Sequence, residues 1–377
     1  MTDLFQFTDD IGPSKIIHVY EPSAGLKGIL VVDNISRGPS IGGVRIAADV
    51  SLEECLRLAR AMTLKNSAAG LPHGGGKSVI IGDPDMPADR KEKLIRAMAK
   101  ALRNYEEYIF GPDMGTDERC MAWIKDEIGR AVGLPHELGG IPLDEIGATG
   151  TGLFHAIETA LEFSNFSLNG SRIVIQGFGA VGKHAARLLV ESGAKLIAAS
   201  DSKGGILNPE GLDVLELIAL KNRHRSVAEY SGGRAVDRES LVDVDCDIWI
   251  PAARPDVIHE RNVDRLRTKM VAQGANIPVT PAAEEVLHRR GILSIPDFIA
   301  NAGGVICAAM EYRGATQAQA MEIIAEKIRQ NTHLVLEEAR RNDLLPRQAA
   351  LKLALDRVRK AMGYRRFSLF SSAPHFL

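Results

Sequence analysis

The chain of 377 residues places two lysines and an aspartate where proton chemistry is possible. Lys65 nears the end of an amphipathic helical stretch, Lys77 directly follows Gly74-Gly75-Gly76, and Asp113 stands in a Gly-Pro-Asp loop. Taken singly, each lysine reads as a solvated surface group and the aspartate as a turn residue. A lysine held in a cleft loses hydration, its pKa falls, and it becomes able to accept or pass a proton near neutrality.

A second pattern is suited to phosphate. Gly177-Phe178-Gly179-Ala180-Val181-Gly182 follows the strand-like run Arg172 to Gln176 and opens a helix through Glu191. In that context Gly177 allows the tight turn out of the strand and Gly179 lets the backbone reach a pyrophosphate. Gly182 lets the helix sit close to the strand, and the helix N-terminus offers free amides and a positive dipole end. Asp201 follows at about the spacing of a ribose-binding carboxylate.

These groups need a scaffold. Leu52, Cys55, Leu56, Ala59 and Met62 recur at helical spacing behind a Ser51/Glu54 capping box, which predicts a helix to about Ala69, stopped by Gly70 and Pro72. A strand is expected from Ser78 to Ile81, a helix from about Asp89 to Tyr105, and loops at Ile109 to Gly115 and Gly139 to Pro142. The domain boundary is placed near Glu145. Beyond it, a helix from about Thr151 to Phe163 precedes short apolar runs at Lys195 to Ser200, Ile248 to Ala252, Met270 to Ala272 and Ile292 to Ile295. Strands alternating with helices imply a parallel, helix-covered sheet. The expected class is α/β with two domains. Residues 1–145 form the first, 146–314 a Rossmann-like second, and helices within 315–377 pack back on the first.

Composition narrows the function classes. Hydrophobic residues make up 45% and charged residues 25%, an ordinary globular mixture that excludes disorder or a disulfide scaffold. With 46 basic and 48 acidic side chains the net charge is -2, so no global field attracts nucleic acid or anionic lipid. Cys55, Cys120, Cys246 and Cys307 lie far apart without metal-ligand spacing, so reduced, packed thiols and no metal are expected. No basic leader or membrane-length apolar run is present, and a cytoplasmic protein is expected.

The chain resembles the glutamate, leucine, phenylalanine and valine dehydrogenases. The resemblance is carried by Gly42-Gly43-Val44-Arg45, Met62-Thr63-Leu64-Lys65, Gly74-Gly75-Gly76-Lys77, Pro112-Asp113-Met114-Gly115, Gly177 to Gly182 and Asn301-Ala302-Gly303-Gly304-Val305, in the family's order. It extends over Ala148-Thr149-Gly150, Gly274-Ala275-Asn276 and Ile295-Pro296-Asp297. It implies that Lys65, helped by the Gly42 and Gly43 backbone, holds a substrate α-carboxylate. Lys77 would be the catalytic lysine, and Asp113 would relay protons to and from the substrate amine. Thr149, Ala252, Asn276 and Asn301 would join the glycine motif and Asp201 around NAD, with NADP possible. An amino acid, its 2-oxo acid and ammonia would be the small-molecule partners, and a homo-oligomer, a hexamer or octamer, is implied.

In the glutamate branch of that family a lysine before the glycine pair and a serine three residues after the valine of Asn-Ala-Gly-Gly-Val grip the distal carboxylate. Ile41 and Ala308 occupy those positions here, and with Gly111 and Val305 they predict an apolar side-chain pocket. A glutamate carboxylate buried there would cost several kcal/mol without a partner, about the size of a lost buried polar contact. The expected substrate is therefore apolar, such as leucine, valine or phenylalanine. Glutamate is the alternative, favoured by the family likeness of Asp201 to Ile206 and Gly274 to Asp297. A silent dinucleotide sensor is a further one, disfavoured by Lys65, Lys77 and Asp113. His73, beside the glycines, is read as structural, and Cys307 as a core residue turned from the pocket.

Overall fold

The computed structural model describes residues 5–364. The chain divides into two compact units. One holds the chain to Pro142, Val305–Ala320 and Leu351 onward; the other holds Leu143–Gly304 and Met321–Ala350.

The first unit is built from β1 (Lys15–Glu21), β2 (Leu26–Asn34), β3 (Ser40–Ala47), α1 (Leu52–Ala68), β4 (Gly74–Ile81), α2 (Ala88–Ala101), β5 (Tyr108–Pro112) and α3 (Glu118–Ile128). Its five strands run in the order β1-β2-β4-β3-β5. β3 pairs in parallel with β4 and β5, placing Ile41 beside Gly75 and Gly43 beside Gly111. Val44, Ile46, Ile80 and Phe110 face a core shared with Leu94, Met98, Met121 and Ile124. Ile29, Val31 and Val79 pack on the other face against Cys55 and Ala59 of α1. Strand alternation therefore puts Ile41, Gly43, Arg45, Gly75 and Lys77 on the α1 face.

The expected start of α1 is present: the Ser51 side chain accepts the Glu54 amide at 3.1 Å. Its end is a Schellman turn in which the Gly70 amide reaches Ser67 O at 2.9 Å and Leu71 N reaches Asn66 O at 3.0 Å, with Gly70 at φ 68°. Three expectations differ. β4 begins at Gly74 rather than Ser78, α2 ends at Ala101, and Ile109 to Gly111 are strand rather than loop. The glycine triplet is part of the strand because it serves close packing inside a sheet. A Cβ on Gly75 would lie 2.0 Å from the Thr63 amide of α1, and one on Gly74 1.8 Å from the Asn34 carbonyl.

The second unit comprises α4 (Ala148–Leu161), β6 (Arg172–Gln176), α5 (Ala180–Glu191), β7 (Lys195–Ser200), β8 (Gly205–Leu207), α6 (Val214–Asn222), β9 (Arg234–Val236), β10 (Ile248–Pro251), β11 (Met270–Ala272), α7 (Pro281–Arg289), β12 (Leu293–Ile295) and α8 (Asp297–Ala300). The strand order is β12-β11-β10-β6-β7-β8-β9. β12 to β7 are parallel, and β8 and β9 add an antiparallel edge. Trp249, Val174, Ile197, Val271 and Leu287 share its core.

Three helices follow: α9 (Gly303–Tyr312), α10 (Gln317–Asn342) and α11 (Pro346–Tyr364). The expectation that 315–377 all pack on the first unit is corrected. Met321–Ala350 belong to the second unit, and residues 305–314, expected there, belong to the first. Specific polar contacts decide this. Arg347 meets Glu284 at 2.6 Å, Asp297 at 2.9 Å and Gln273 at 3.0 Å, and Arg329 meets Glu158 at 3.3 Å. From Leu351 onward α11 serves the first unit, where Arg357 donates to Ala68 O at 2.7 Å and Ser67 to Ala354 O at 2.8 Å. The sequence run Phe367-Ser368-Leu369-Phe370, too apolar for a free tail and expected to dock on a neighbouring chain, lies outside the described residues.

Glu284 and Asp297 are 6% and 7% exposed at the side chain, so Arg347→Met leaves two buried carboxylates without their cation. Destabilisation of about 3–5 kcal/mol is expected. Denaturant unfolding should show it, and a change under about 1 kcal/mol would mean the network contributes little.

Candidate active site

The α1 face of the first sheet gathers the polar groups. Lys77 projects from β4 and its Nζ lies 2.9 Å from Asp113 Oδ1, just past the end of β5. Arg45, two residues after Gly43 on β3, donates through Nε to the other Asp113 oxygen at 2.7 Å and pairs with Glu54 of α1 at 2.5 Å. Thr116 Oγ1 accepts the Asp113 amide at 2.9 Å and donates to Val44 O at 2.8 Å, fixing the loop. A Cβ on Gly43 would stand 2.7 Å from Asp113 Cβ and 3.1 Å from Lys77 Nζ, so a side chain there would occupy the pair's own space.

Burial sets the charges. Lys77 is 4% exposed, and desolvation pulls its pKa below the ordinary lysine value despite the attraction of Asp113. Burial alone would raise the Asp113 carboxyl, but Lys77 and Arg45 outweigh it and hold it below the usual carboxylate range. The pair is a proton-bearing amine whose ammonium is destabilised beside a base that stays ionised.

The remaining first-unit candidates are placed as follows. Lys65 is half-buried in the last turn of α1, two residues after the Thr63 that packs on Gly75. Ile41 is buried on β3, Gly42 accepts from the Tyr108 hydroxyl at 2.8 Å, and Gly111 packs near Val132. On α9, Val305 and Ala308 are half-buried at an i, i+3 spacing. Cys307 is fully buried off that face, its thiol pushed up to about 12 by burial. All four cysteines are buried and unpaired in disulfides.

In the second unit the three motif glycines do different work. Gly177 has φ 104° and a Cβ there would meet the Ala252 carbonyl carbon at 2.6 Å; at Gly182 it would meet Gly177 O at 2.1 Å. Gly179, the N-cap of α5, has nothing within 4 Å on its Cβ side. That open backbone at a helix N-terminus fits a pyrophosphate. A cavity of about 390 Å³ runs from Gly177, Phe178 and Gly179 past Ser202 and Lys221 to Arg238 and Arg254. Ala180 and Val181 begin α5, and Gly274 would bring a Cβ within 3.4 Å of both Ala252 and Val181. Asn301 Nδ2 donates to Asn276 Oδ1 at 3.0 Å, and a Cβ on Gly304 would meet Thr149 Oγ1 at 3.1 Å.

Asp201, expected as a ribose acceptor, is engaged by groups of the protein itself. Its side chain is 6% exposed and accepts four donors: Lys221 Nζ at 2.8 Å, Ser226 Oγ at 2.9 Å, Val227 N at 3.0 Å and Lys203 N at 2.9 Å. Despite burial, those donors hold its carboxyl below the usual range. A carboxylate has about four lone-pair sites, so the protein itself occupies them. Arg45 and Thr116 were absent from the candidate set. Arg45 could have been found by extending the Gly43 strand alternation by two residues.

Among the described residues no cluster of three or more His, Cys, Asp or Glu could hold a metal, and no helix is long and apolar enough to cross a membrane.

Residues 139–366 match the family described as Glutamate/Leucine/Phenylalanine/Valine dehydrogenase, and residues 13–130 match the Glu/Leu/Phe/Val dehydrogenase dimerisation domain. The chain is 37% identical over 356 residues to glutamate dehydrogenase of Aeropyrum pernix, covering 88% of this chain and 85% of the relative. It is 36% identical over 381 residues to NADP-specific glutamate dehydrogenase of Saccharolobus shibatae, covering 94% and 90%. Its fold matches the leucine-bound hetero-hexameric glutamate dehydrogenase of Thermus thermophilus with a TM-score of 0.81 at 28% identity, over 95% of this chain and 91% of that one. With the buried lysine–aspartate pair and the glycine cradle, these matches settle the family: the chain belongs to the glutamate/leucine/phenylalanine/valine dehydrogenases and is an NAD(P)-dependent amino-acid dehydrogenase.

Proposed function

We propose that the enzyme catalyses reversible oxidative deamination of L-glutamate: amino acid, water and NAD(P)+ give 2-oxo acid, ammonia, NAD(P)H and a proton. The observation that carries the reaction is Lys77 Nζ buried 2.9 Å from Asp113. Support for glutamate comes from the names of relatives sharing 36–37% identity over most of the chain. Lys65 and the Gly42-Gly43 backbone hold the α-carboxylate. When bound along Gly177 to Gly182, Ala252, Asn276, Asn301 and Thr149, the dinucleotide supplies the hydride acceptor for the substrate α-carbon. Lys77, its ammonium destabilised by burial, takes a proton from the water that adds to the resulting iminium carbon. Asp113 carries protons to and from the substrate nitrogen, and Arg45 keeps it ionised. The first unit, which matches a dimerisation domain, supports a homo-oligomer.

A second reading, an apolar substrate, is favoured by Ile41 and Ala308, neither of which can pair with a carboxylate. For the dinucleotide, Asp201 is occupied by protein donors, and the cavity it shares with Lys221, Arg238, Arg254 and Glu239 keeps one more cation than carboxylate even though Glu239 pairs with both arginines. That charge pattern supports use of NADP as well as NAD.

Lys77→Ala should lower kcat by about two to four orders of magnitude while dinucleotide affinity stays within threefold. Turnover within tenfold of the parent would remove Lys77 from the mechanism. Asp113→Asn should be similarly impaired. It also removes the carboxylate that favours the Lys77 ammonium, so Lys77 should titrate at lower pH. The pH dependence of acylation by an amine reagent, in the parent and variant, reports that shift and its sign.

An amino-acid panel with each dinucleotide decides the substrate. Glutamate should exceed leucine in kcat/KM by tenfold or more, and NADP should fall within tenfold of NAD. If leucine or valine wins, the apolar reading stands; Ile41→Lys with Ala308→Ser should then raise glutamate turnover and depress the apolar substrates. Light scattering should give a mass above that of the 40.8 kDa chain, and a monomer at micromolar protein would contradict the oligomer.

A further inference from the structure

The glutamate reading leaves an unpaired charge to account for, because neither Ile41 nor Ala308 can hold the γ-carboxylate. His73 immediately precedes β4 and is 4% exposed. Its Nδ1 lies 3.0 Å from the Pro39 carbonyl, which can only accept, so in the neutral ring Nδ1 carries the proton. Nε2, the bare nitrogen, is buried and has no hydrogen-bond partner. A nitrogen in that state either costs stability or awaits a partner.

Two independent alignments relate His73 to Ile41 and to the α9 stripe of Val305 and Ala308. Along β4, positions 73, 75 and 77 continue one face, the face of Lys77. Gly75 is registered beside Ile41, which makes His73 the diagonal neighbour of Ile41. On α9, Val305, Ala308 and Tyr312 follow at i, i+3 and i+7, one helical stripe. The Tyr312 ring stands edge-on to the His73 ring with centroids 6.2 Å apart. All five residues lie in the first unit.

We propose that His73 is a specificity-determining residue that reads the end of the substrate side chain, its Nε2 taking up a proton to hold the γ-carboxylate of glutamate. This rests on the glutamate reading. In the ligand-free protein burial, with Arg313 just past α9 adding to it, lowers the imidazole to about 4, so the ring is neutral and tolerates the apolar surroundings. An arriving carboxylate supplies the opposite charge that makes the imidazolium stable, and the proton comes from solvent. A permanently charged lysine at position 41 is then unnecessary.

The test compares glutamate with norvaline, which keeps the chain but lacks the γ-carboxylate, in the parent, His73→Met and His73→Gln enzymes. Losing a charge-assisted hydrogen bond should lower the glutamate-to-norvaline ratio of kcat/KM by about tenfold to a hundredfold in His73→Met, chiefly through KM for glutamate. His73→Gln, whose amide can still donate, should retain part of the ratio. If the parent prefers glutamate and His73→Met keeps the ratio within threefold, the assignment to His73 is overturned while the glutamate reading stands. If the parent does not oxidise glutamate, that reading fails first. Should His73→Met not fold, His73→Gln decides alone: a ratio lowered threefold or more supports the role, and an unchanged one overturns it.

Discussion

The buried contact between Lys77 and Asp113 is the constraint around which the first unit is arranged. An ammonium at 4% exposure loses most of its hydration, and only a close carboxylate makes that tolerable. Asp113 must therefore be aimed by a rigid loop, and Thr116 and Arg45 both hold it. Arg45 also adds positive charge beside Lys77 and so opposes its protonation. The same few groups fix the geometry and weaken the ammonium's hold on its proton.

Proximity of backbones is the second theme. Gly43 leaves room for the Lys77 and Asp113 side chains, Gly75 admits the backbone of α1, and Gly182 admits its helix against Gly177. Each would place a Cβ within about 3 Å of a neighbour, a separation that heavy atoms do not sustain without movement. Of the three motif glycines at the start of α5, Gly179 alone has open space on its Cβ side, whereas Gly177 and Gly182 are held by packing.

Charge placement in the nucleotide cavity follows from hydrogen-bond capacity more than from residue type. Asp201 carries a formal negative charge, yet Lys221 and three further donors spend its lone pairs within the protein. What a dinucleotide meets near the end of β7 is a neutralised carboxylate together with Ser202 and with Arg238 and Arg254, both paired to Glu239.

The amino-acid sequence by itself determined the family motifs, the α1 helix with its Ser51 cap and Gly70 stop, the strand-turn-helix at Gly177 to Gly182, and the pairing of Lys77 with Asp113 as candidates. The helix, its caps and the strand-turn-helix are legible because helical periodicity, capping chemistry and glycine position act over a few residues, whereas the pairing of Lys77 with Asp113 is what the family resemblance implies. Tertiary structure alone decided the rest. Gly74 to Gly76 became a strand because α1 and its neighbours press against it, a contact invisible to propensity. Met321–Ala350 joined the second unit because Arg347 finds Asp297 and Glu284, 50 and 63 residues upstream, whereas helical periodicity names an apolar face and not its partner. Asp201 was recognisable as a carboxylate at the end of a strand, but whether its oxygens are free depends on Lys221, Ser226 and Val227, which the fold brings from twenty or more residues away.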